Sequence, residues 1–286
     1  MSFWKKITQP STWEKIFYER LTEPAHLNLL SLGVMAFGSF RQKVNFDLVL
    51  RHHAAFGLLK AADLARQHGI PEVQALEFGV AAGAGLINMA RIAEKITAET
   101  GVRVKLTGFD TGKGMPKPID YRDHPDLYGP GDYPMDFAKL QAALPANVRL
   151  VIGELAETVP AWLKANAGGA PIGYAAIDVD YYSSSVEAFK VFEGPATSYL
   201  PFVVVYLDDI HFDVHNSWCG ERLAMGEFNE RNRRRKLEQH AMLRRRRVFK
   251  NAPWLEQIFY LHVLDHPVRE TADESRAVAV LNNPFL

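Results

Sequence analysis

The sequence predicts an α/β fold: a doubly wound, largely parallel sheet with helices on both faces, preceded by N-terminal helices and finished by an antiparallel hairpin. Three observations carry that prediction. From Val73 onward, short apolar runs alternate with stretches of helical periodicity, the pattern of βα units. The runs VRVKLTGFD, IGYAAIDVD and PFVVVYLDD are the short, β-rich apolar segments expected of strands buried on both faces of a parallel sheet. Each of them ends in acid, at Asp110, at Asp178 and Asp180, and at Asp208 and Asp209. A doubly wound sheet binds its ligands beyond the carboxyl ends of its strands, so these carboxylates are expected to face one crevice. Carboxylates that converge repel one another unless a cation, a proton or a cationic substrate lies between them.

Taken in order, residues 1–70 read as a helical extension. Trp13, Ile16, Phe17 and Leu21 fall at helical spacing, and Phe46, Leu50, Phe56, Leu59, Ala62 and Leu64 make a second long pattern. A lid, a packing face and a subunit contact are the roles open to it, the last implying a homo-oligomer. The main domain, 71–270, opens with the strand VQALEFGV and a helix from about Leu86 to Thr100. VRVKLTGFD, a helix near Phe137 to Leu144, VRLVIG and a helix near Leu155 to Asn166 follow. IGYAAIDV, a helix from about Ser183, PFVVVYLD and a helix from about Gly220 to His240 complete the alternation. RRRVFKN and LEQIFYLHVL are then separated only by Ala252-Pro253-Trp254, too short a link for a parallel crossover. The expected result is a Rossmann-like, seven-stranded open sheet with a reversed edge strand. Residues 271–286 are a C-terminal tail. Between Gly112 and Pro134, proline and glycine concentrate in a connection longer than αβ loops usually are, which reads as a flap over the site or a surface insertion.

Composition narrows the function classes. With 286 residues, 48% hydrophobic and 23% charged, the chain suits one principal ordered domain. Its formal net charge of zero provides no global field toward nucleic acid or an anionic membrane. A basic run (Arg231, Arg233, Arg234, Arg235 and Lys236, then Arg244, Arg245, Arg246 and Arg247) lacks interleaved aromatics and reads as a solvated helix. The single cysteine, Cys219, excludes a disulfide framework and a multi-cysteine zinc site. The start, MSFWKKITQP, lacks the apolar core of a signal peptide, and no apolar stretch approaches the ~20 residues that span a bilayer. A cytoplasmic protein is expected.

The chemistry-bearing motifs follow the strands. Glu77-Phe78-Gly79-Val80-Ala81-Ala82-Gly83-Ala84-Gly85 closes the first strand and opens a helix, so small residues let backbone approach a ligand at a helix amino terminus. Asn88 stands where a dinucleotide fingerprint would require glycine. Asp110, at the end of the second strand, can accept hydrogen bonds from a ribose diol or cap a turn. Asp178 and Asp180, two apart and so on one side of a strand, could both face the crevice beside Asp208 and Asp209, and Asp178, Asp208 and Asp209 brought together would offer hard oxygen ligands for Mg²⁺, Mn²⁺ or Ca²⁺. Asp180, before Tyr181-Tyr182-Ser183, is also a fair N-cap. His211 and His215 follow the last pair and offer hydrogen bonding or an alternative base.

In this order, the blocks resemble the class I S-adenosylmethionine-dependent methyltransferases, and within them the metal-dependent O-methyltransferases related to macrocin O-methyltransferase, over about Leu76 to Asn229. LEFGVAAGAG resembles the cofactor-binding motif, which implicates Glu77, Phe78, Gly79, Val80, Ala81 and Gly83. GFDTGKGMP resembles the ribose motif, with Asp110 and Thr111, and VIGELAETVP the block beside the adenine, with Gly153 and Glu154. IDVDYYSS and LDDI resemble the metal motifs, and GERLAMGEFN the helix after them. The resemblance implies S-adenosylmethionine as cofactor, bordered also by Asp178, and Mg²⁺ or another divalent cation on Asp178, Asp208 and Asp209. It makes Asp180 the general base; some relatives instead place a histidine where Tyr181 stands. The implied activity is methyl transfer to a hydroxyl of a sugar, polyol or natural product, a small-molecule acceptor that can itself be glycosylated. Two other readings stand beside it: a non-catalytic relative that docks on an anionic partner through the basic run, and an NAD-dependent oxidoreductase, against which Asn88 and the paired acids speak.

Overall fold

The structure, a computed structural model, describes residues 17–211 and 216–270. Trp13, Ile16, His215 and the tail 271–286 lie outside the described residues. Seven strands form one sheet in the order β3-β2-β1-β4-β5-β7-β6. They are β1 (Glu72–Phe78), β2 (Arg103–Asp110), β3 (Val148–Ile152), β4 (Ile172–Ile177), β5 (Tyr199–Leu207), β6 (Arg235–Gln239) and β7 (Ile258–Val263). Strands β1 to β5 pair in parallel, and β7 runs antiparallel to both β5 and β6. The chain works outward from β1 to β3, then returns to place β4 on the other side of β1. The topological switch point therefore lies between β1 and β4, where a ligand crevice is expected.

Nine α-helices accompany the sheet in the described residues: α1 (Ala25–Phe37), α2 (Phe40–Asn45), α3 (His52–Gln67), α4 (Ala84–Thr100), α5 (Phe137–Ala143), α6 (Leu155–Ala165), α7 (Tyr182–Phe189), α8 (Gly220–Arg231) and the short α9 (Leu243–Arg246). Alternate residues of each buried strand feed two cores. Val73, Ala75, Tyr174 and Val204 pack with α3 and α4, while Leu76, Phe78, Ile177 and Val205 pack with α6, α7 and α8. The first core is close-set because α3 presents Ala54, Ala55, Ala61 and Ala65 to the sheet, and Gly57 lies so near the Tyr174 ring that a β-carbon would stand 2.3 Å from it. The second is aromatic, with Phe78 stacked on Phe109 at 4.7 Å and Phe189 beside Phe228 at 5.8 Å. Thus α3 is part of the sheet's own cover. In contrast, α1 buries only Ser31, leaving Leu29, Leu32, Met35 and Phe37 exposed.

The C-terminal third departs from expectation. The helix expected to reach His240 ends at Arg231, and Arg235–Gln239 is strand β6. RRRVFKN is not a strand; part of it forms α9, and β6 is the antiparallel partner of β7. The reversed strand consequently sits second from the edge. An edge strand needs only one buried side, and RKLEQ buries Arg235 and Leu237 alone, so it lacks the apolar signature of a strand. The basic run is divided accordingly, with Arg235 paired to Asp265, Arg244 to Glu256 and the buried Arg247 to the buried Asp47. It makes no continuous basic helix. Among the described residues no helix is long and apolar enough to cross a membrane.

Candidate active site

A cavity of about 570 Å³ opens over the carboxyl ends of β1, β2, β4 and β5, within the usual range for small-molecule sites. Gly79, Ala81, Asp110, Thr111 and Glu154 line one half of it; Asp178, Asp180, Asp208 and Asp209 line the other, under the 112–134 flap.

The first half is built by the turn after β1. Gly79 has φ +81°, and a β-carbon on it would fall 1.7 Å from the carbonyl oxygen of Asp178, so only glycine allows the β1 and β4 ends to meet. The turn is held by Asp110, whose Oδ2 accepts from the N–H groups of Val80 and Ala81 at 2.9 and 2.8 Å and whose Oδ1 accepts from Gly112 at 2.6 Å. The turn-capping reading and the ligand-facing reading of Asp110 are thus compatible, since the three bonds leave one lone-pair site on Oδ1. Gly153 donates its N–H to the Asp110 carbonyl at 3.0 Å and brings Glu154 to the cavity. Phe78, Val80 and Gly83 support the turn from beneath: Phe78 and Val80 are buried in the core, and a side chain on Gly83 would collide with Leu140. Glu77 is buried against Gly85, and burial pushes its carboxyl up to about 8 although Arg51 pulls the other way.

The second half is a carboxylate cluster. Strand β4 ends at Ile177, and Asp180 takes a left-handed conformation at φ +56°, so a turn, and not strand alternation, brings Asp180 back toward Asp178. One carboxylate oxygen each from Asp178, Asp180 and Asp209 lie within 4.8 Å of one another. The Asp180 N–H donates to Asp209 Oδ2 at 3.1 Å. The structure therefore groups Asp180 with Asp178 and Asp209, where the resemblance implied Asp208. Asp208 lines the same cavity, but its Oδ1 accepts the Tyr206 hydroxyl and its carbonyl accepts Gln257 Nε2 at 2.5 Å. Nor is Asp180 the N-cap of α7, which is Tyr181. Burial first, then repulsion from neighbouring carboxylates, raises Asp178 well above the usual carboxylate range and lifts Asp209 to about 8; burial likewise raises Asp180. Hard oxygen donors, clustered and desolvated in this way, fit a divalent cation.

Three site residues escape a reading of the sequence. Glu221, only 1% exposed on the first turn of α8, accepts the Asp209 N–H through Oε2 at 3.0 Å and anchors the 208–209 turn. Its one sequence signal is an acid at the start of the helix after LDDI. Asp123, in the flap and also 1% exposed, accepts from the N–H and hydroxyl of Ser183 at 2.8 and 2.9 Å and from the Ile119 N–H at 2.9 Å. The flap is thereby fastened to the first turn of α7. Tyr128, also from the flap, hydrogen-bonds Asp180. His211 does not line the cavity; its ring stands 3.2 Å from Gln239 Nε2, and burial and Arg222 lower its pKa.

Neither a family model nor a curated protein sequence matches the chain. Solved structures do. CalS11, described as a calicheamicin methyltransferase, superposes with a TM-score of 0.51 at 21% identity over 89% of this chain and 93% of its own. The O-methyltransferase NovP gives a TM-score of 0.49 at 13% identity over 74% of this chain and 79% of its own.

Proposed function

We propose that this chain, whose fold is that of the class I methyltransferases, is an S-adenosylmethionine-dependent O-methyltransferase acting on a hydroxyl of a sugar, polyol or natural product with the help of a divalent cation. The observation that carries this reading is that one cavity joins a turn-bound acid of the ribose-binding kind, Asp110, to the group formed by Asp178, Asp180 and Asp209. The CalS11 description supports a natural-product acceptor.

On this reading Asp110 and Thr111 hold the ribose, Glu154 borders the adenine, and the bare backbone of Gly79 and Ala81 makes room for the amino-acid end beside Asp178. Asp178, Asp180 and Asp209 would hold the cation, with Asp208 as reserve donor. When bound, the cofactor supplies an electrophilic methyl group and the cation lowers the pKa of a nearby hydroxyl. The chain's own contribution is placement. Glu221 fixes the backbone of Asp209, Asp209 fixes that of Asp180, and Tyr128 holds the Asp180 carboxylate, which is the group to take the hydroxyl proton. The flap, latched by Asp123, keeps water from the reacting oxygen, and in-line positioning supplies much of the rate.

The test is transfer of a labelled methyl group from S-adenosylmethionine to a panel of glycosides and polyols with Mg²⁺ present. Transfer that chelation abolishes and that Asp180→Asn greatly slows is expected. Transfer to nitrogen or carbon acceptors only, or full activity in chelator, would contradict it.

A further inference from the structure

Helix α1 has the composition of a buried helix and the exposure of a surface one. Its sequence, AHLNLLSLGVMAF, holds no aspartate, glutamate, lysine or arginine, and a helix apolar on most sides is normally covered on most sides. Ser31 is buried and Leu27, Asn28 and Val34 are half-buried, so one stripe turns toward the body of the chain. Around the rest of the helix Leu29, Leu30, Leu32, Met35 and Phe37 are 55–93% exposed.

The helix is nevertheless fixed at both ends. Before it, the buried Glu23 accepts the N–H groups of Lys250 and Asn251, the latter at 2.8 Å, and Asn251 Nδ2 donates to Thr22 Oγ1 at 2.9 Å. Arg20 lies 4.0 Å over the Phe249 ring. After it, Ser39 and Gln42 form a capping box on α2, and α2 in turn is held where Arg247 Nη2 donates to the Val44 carbonyl at 2.6 Å. The apolar surface is therefore presented in a set orientation.

Area and charge together identify what fits it. Those five side chains expose about 700 Å², more than the roughly 300–600 Å² of the largest apolar patch on an ordinary monomer and close to the ~800 Å² each partner gives to a stable interface. A twofold axis that set this patch on its own copy would bury about 1,400 Å² in total, within the usual range for a dimer. A helix lying on a membrane surface carries lysine and arginine on its polar face, and α1 has neither. At 13 residues it is also too short for the ~20 that span a bilayer. An uncharged patch offers nothing to a charged partner, whereas a second copy of the chain supplies an equal and equally uncharged one.

We propose that α1 is the contact helix of a homodimer, in which it packs against α1 of a second copy of this chain. None of the five exposed residues lines the cavity, so the dimer stands or falls separately from the methyl-transfer reading.

The test is sedimentation velocity and light scattering of the whole chain from ~0.1 to ~50 μM, beside a double variant, Leu29→Glu with Leu32→Glu. The unaltered chain is expected to run at twice the mass of one chain in the micromolar range. Both leucines are more than half exposed, so the double variant should keep the far-UV dichroism of the fold, while its dimer dissociation constant rises about a hundredfold or more. Val268→Glu, at an exposed position outside α1, should remain dimeric. Hydrogen exchange decides without any substitution: the α1 amides of the unaltered chain should exchange faster on dilution to ~0.1 μM. A monomer at every concentration, which a covering segment of the same chain would give, overturns the proposal, as does a monomer that floats with phosphatidylcholine–phosphatidylglycerol vesicles. A dimer that the double variant leaves intact, or whose dissociation leaves α1 exchange unchanged, overturns it too.

Discussion

The carbonyl oxygen of Asp178 occupies the place a side chain on Gly79 would need, 1.7 Å from where its β-carbon would stand. The glycine-turn half and the acidic half of the cavity are thus joined backbone to backbone. Gly79→Ala adds a collision to a left-handed φ of +81° and is expected to cost about 3 kcal/mol of stability. Urea unfolding measures it; a loss below about 0.5 kcal/mol would mean that the two strand ends are not so closely set.

Asp110 satisfies three backbone N–H groups, those of Val80, Ala81 and Gly112. Asp110→Ala leaves all three unanswered and should cost about 2–4 kcal/mol together with most of the affinity for S-adenosylhomocysteine. Asp110→Asn keeps one acceptor oxygen and should fall between. Denaturant melts and calorimetry on the two variants give the comparison.

Glu77 and Asp209 both titrate near 8 in the folded chain, far above the ~4 of carboxylates in an unfolded one. Between these values the folded state holds protons that the unfolded state has released. Their contribution is therefore fully present below pH ~4 and is lost as pH rises toward ~8. Cation-free protein should melt at progressively lower temperature over that window, and Mg²⁺ should recover more of the melting temperature at higher pH because it replaces protons on Asp209. A melting temperature that rises from pH ~5 to ~8 in chelator would contradict the assignment.

Glu221 accepts the Asp209 N–H and points no charge at solvent. Glu221→Gln keeps that acceptor and should preserve both folding and Mg²⁺-dependent stabilisation. Glu221→Ala should weaken the Mg²⁺ response about tenfold or more, read as the shift of melting temperature with Mg²⁺ concentration. Equal responses from the two variants would remove Glu221 from the site.

Asp123 latches the flap to α7 through Ser183. Asp123→Ala leaves three donors unanswered and should speed proteolytic cleavage within 112–134 by more than its loss of global stability accounts for, because the lost bonds hold the flap itself. Unchanged cleavage would show that the flap is held by other contacts.

What the sequence makes legible is the sheet's interior and its acidic strand ends. β1, β4 and β5 are buried on both faces, as is β2 from Leu106 to Phe109, so their apolar runs announce them, and the acids after β2, β4 and β5 mark the crevice. β6 is hidden because an edge strand built on RKLEQ has too few buried positions to alternate. Asp123 and Glu221 are hidden for another reason: their partners stand 60 and 12 residues away, and no local spacing records such a bond. Asp180 reaches the cluster through a left-handed turn at φ +56°, which strand geometry does not anticipate.

The central claim is that the crevice between β1 and β4 binds the methyl donor. Calorimetric titration of the whole chain with S-adenosylhomocysteine, in parallel with Asp110→Ala, tests it most directly. The account predicts saturable one-to-one binding, most of whose affinity the substitution removes. Absence of binding to the unaltered chain, or equal binding by both proteins, would contradict it.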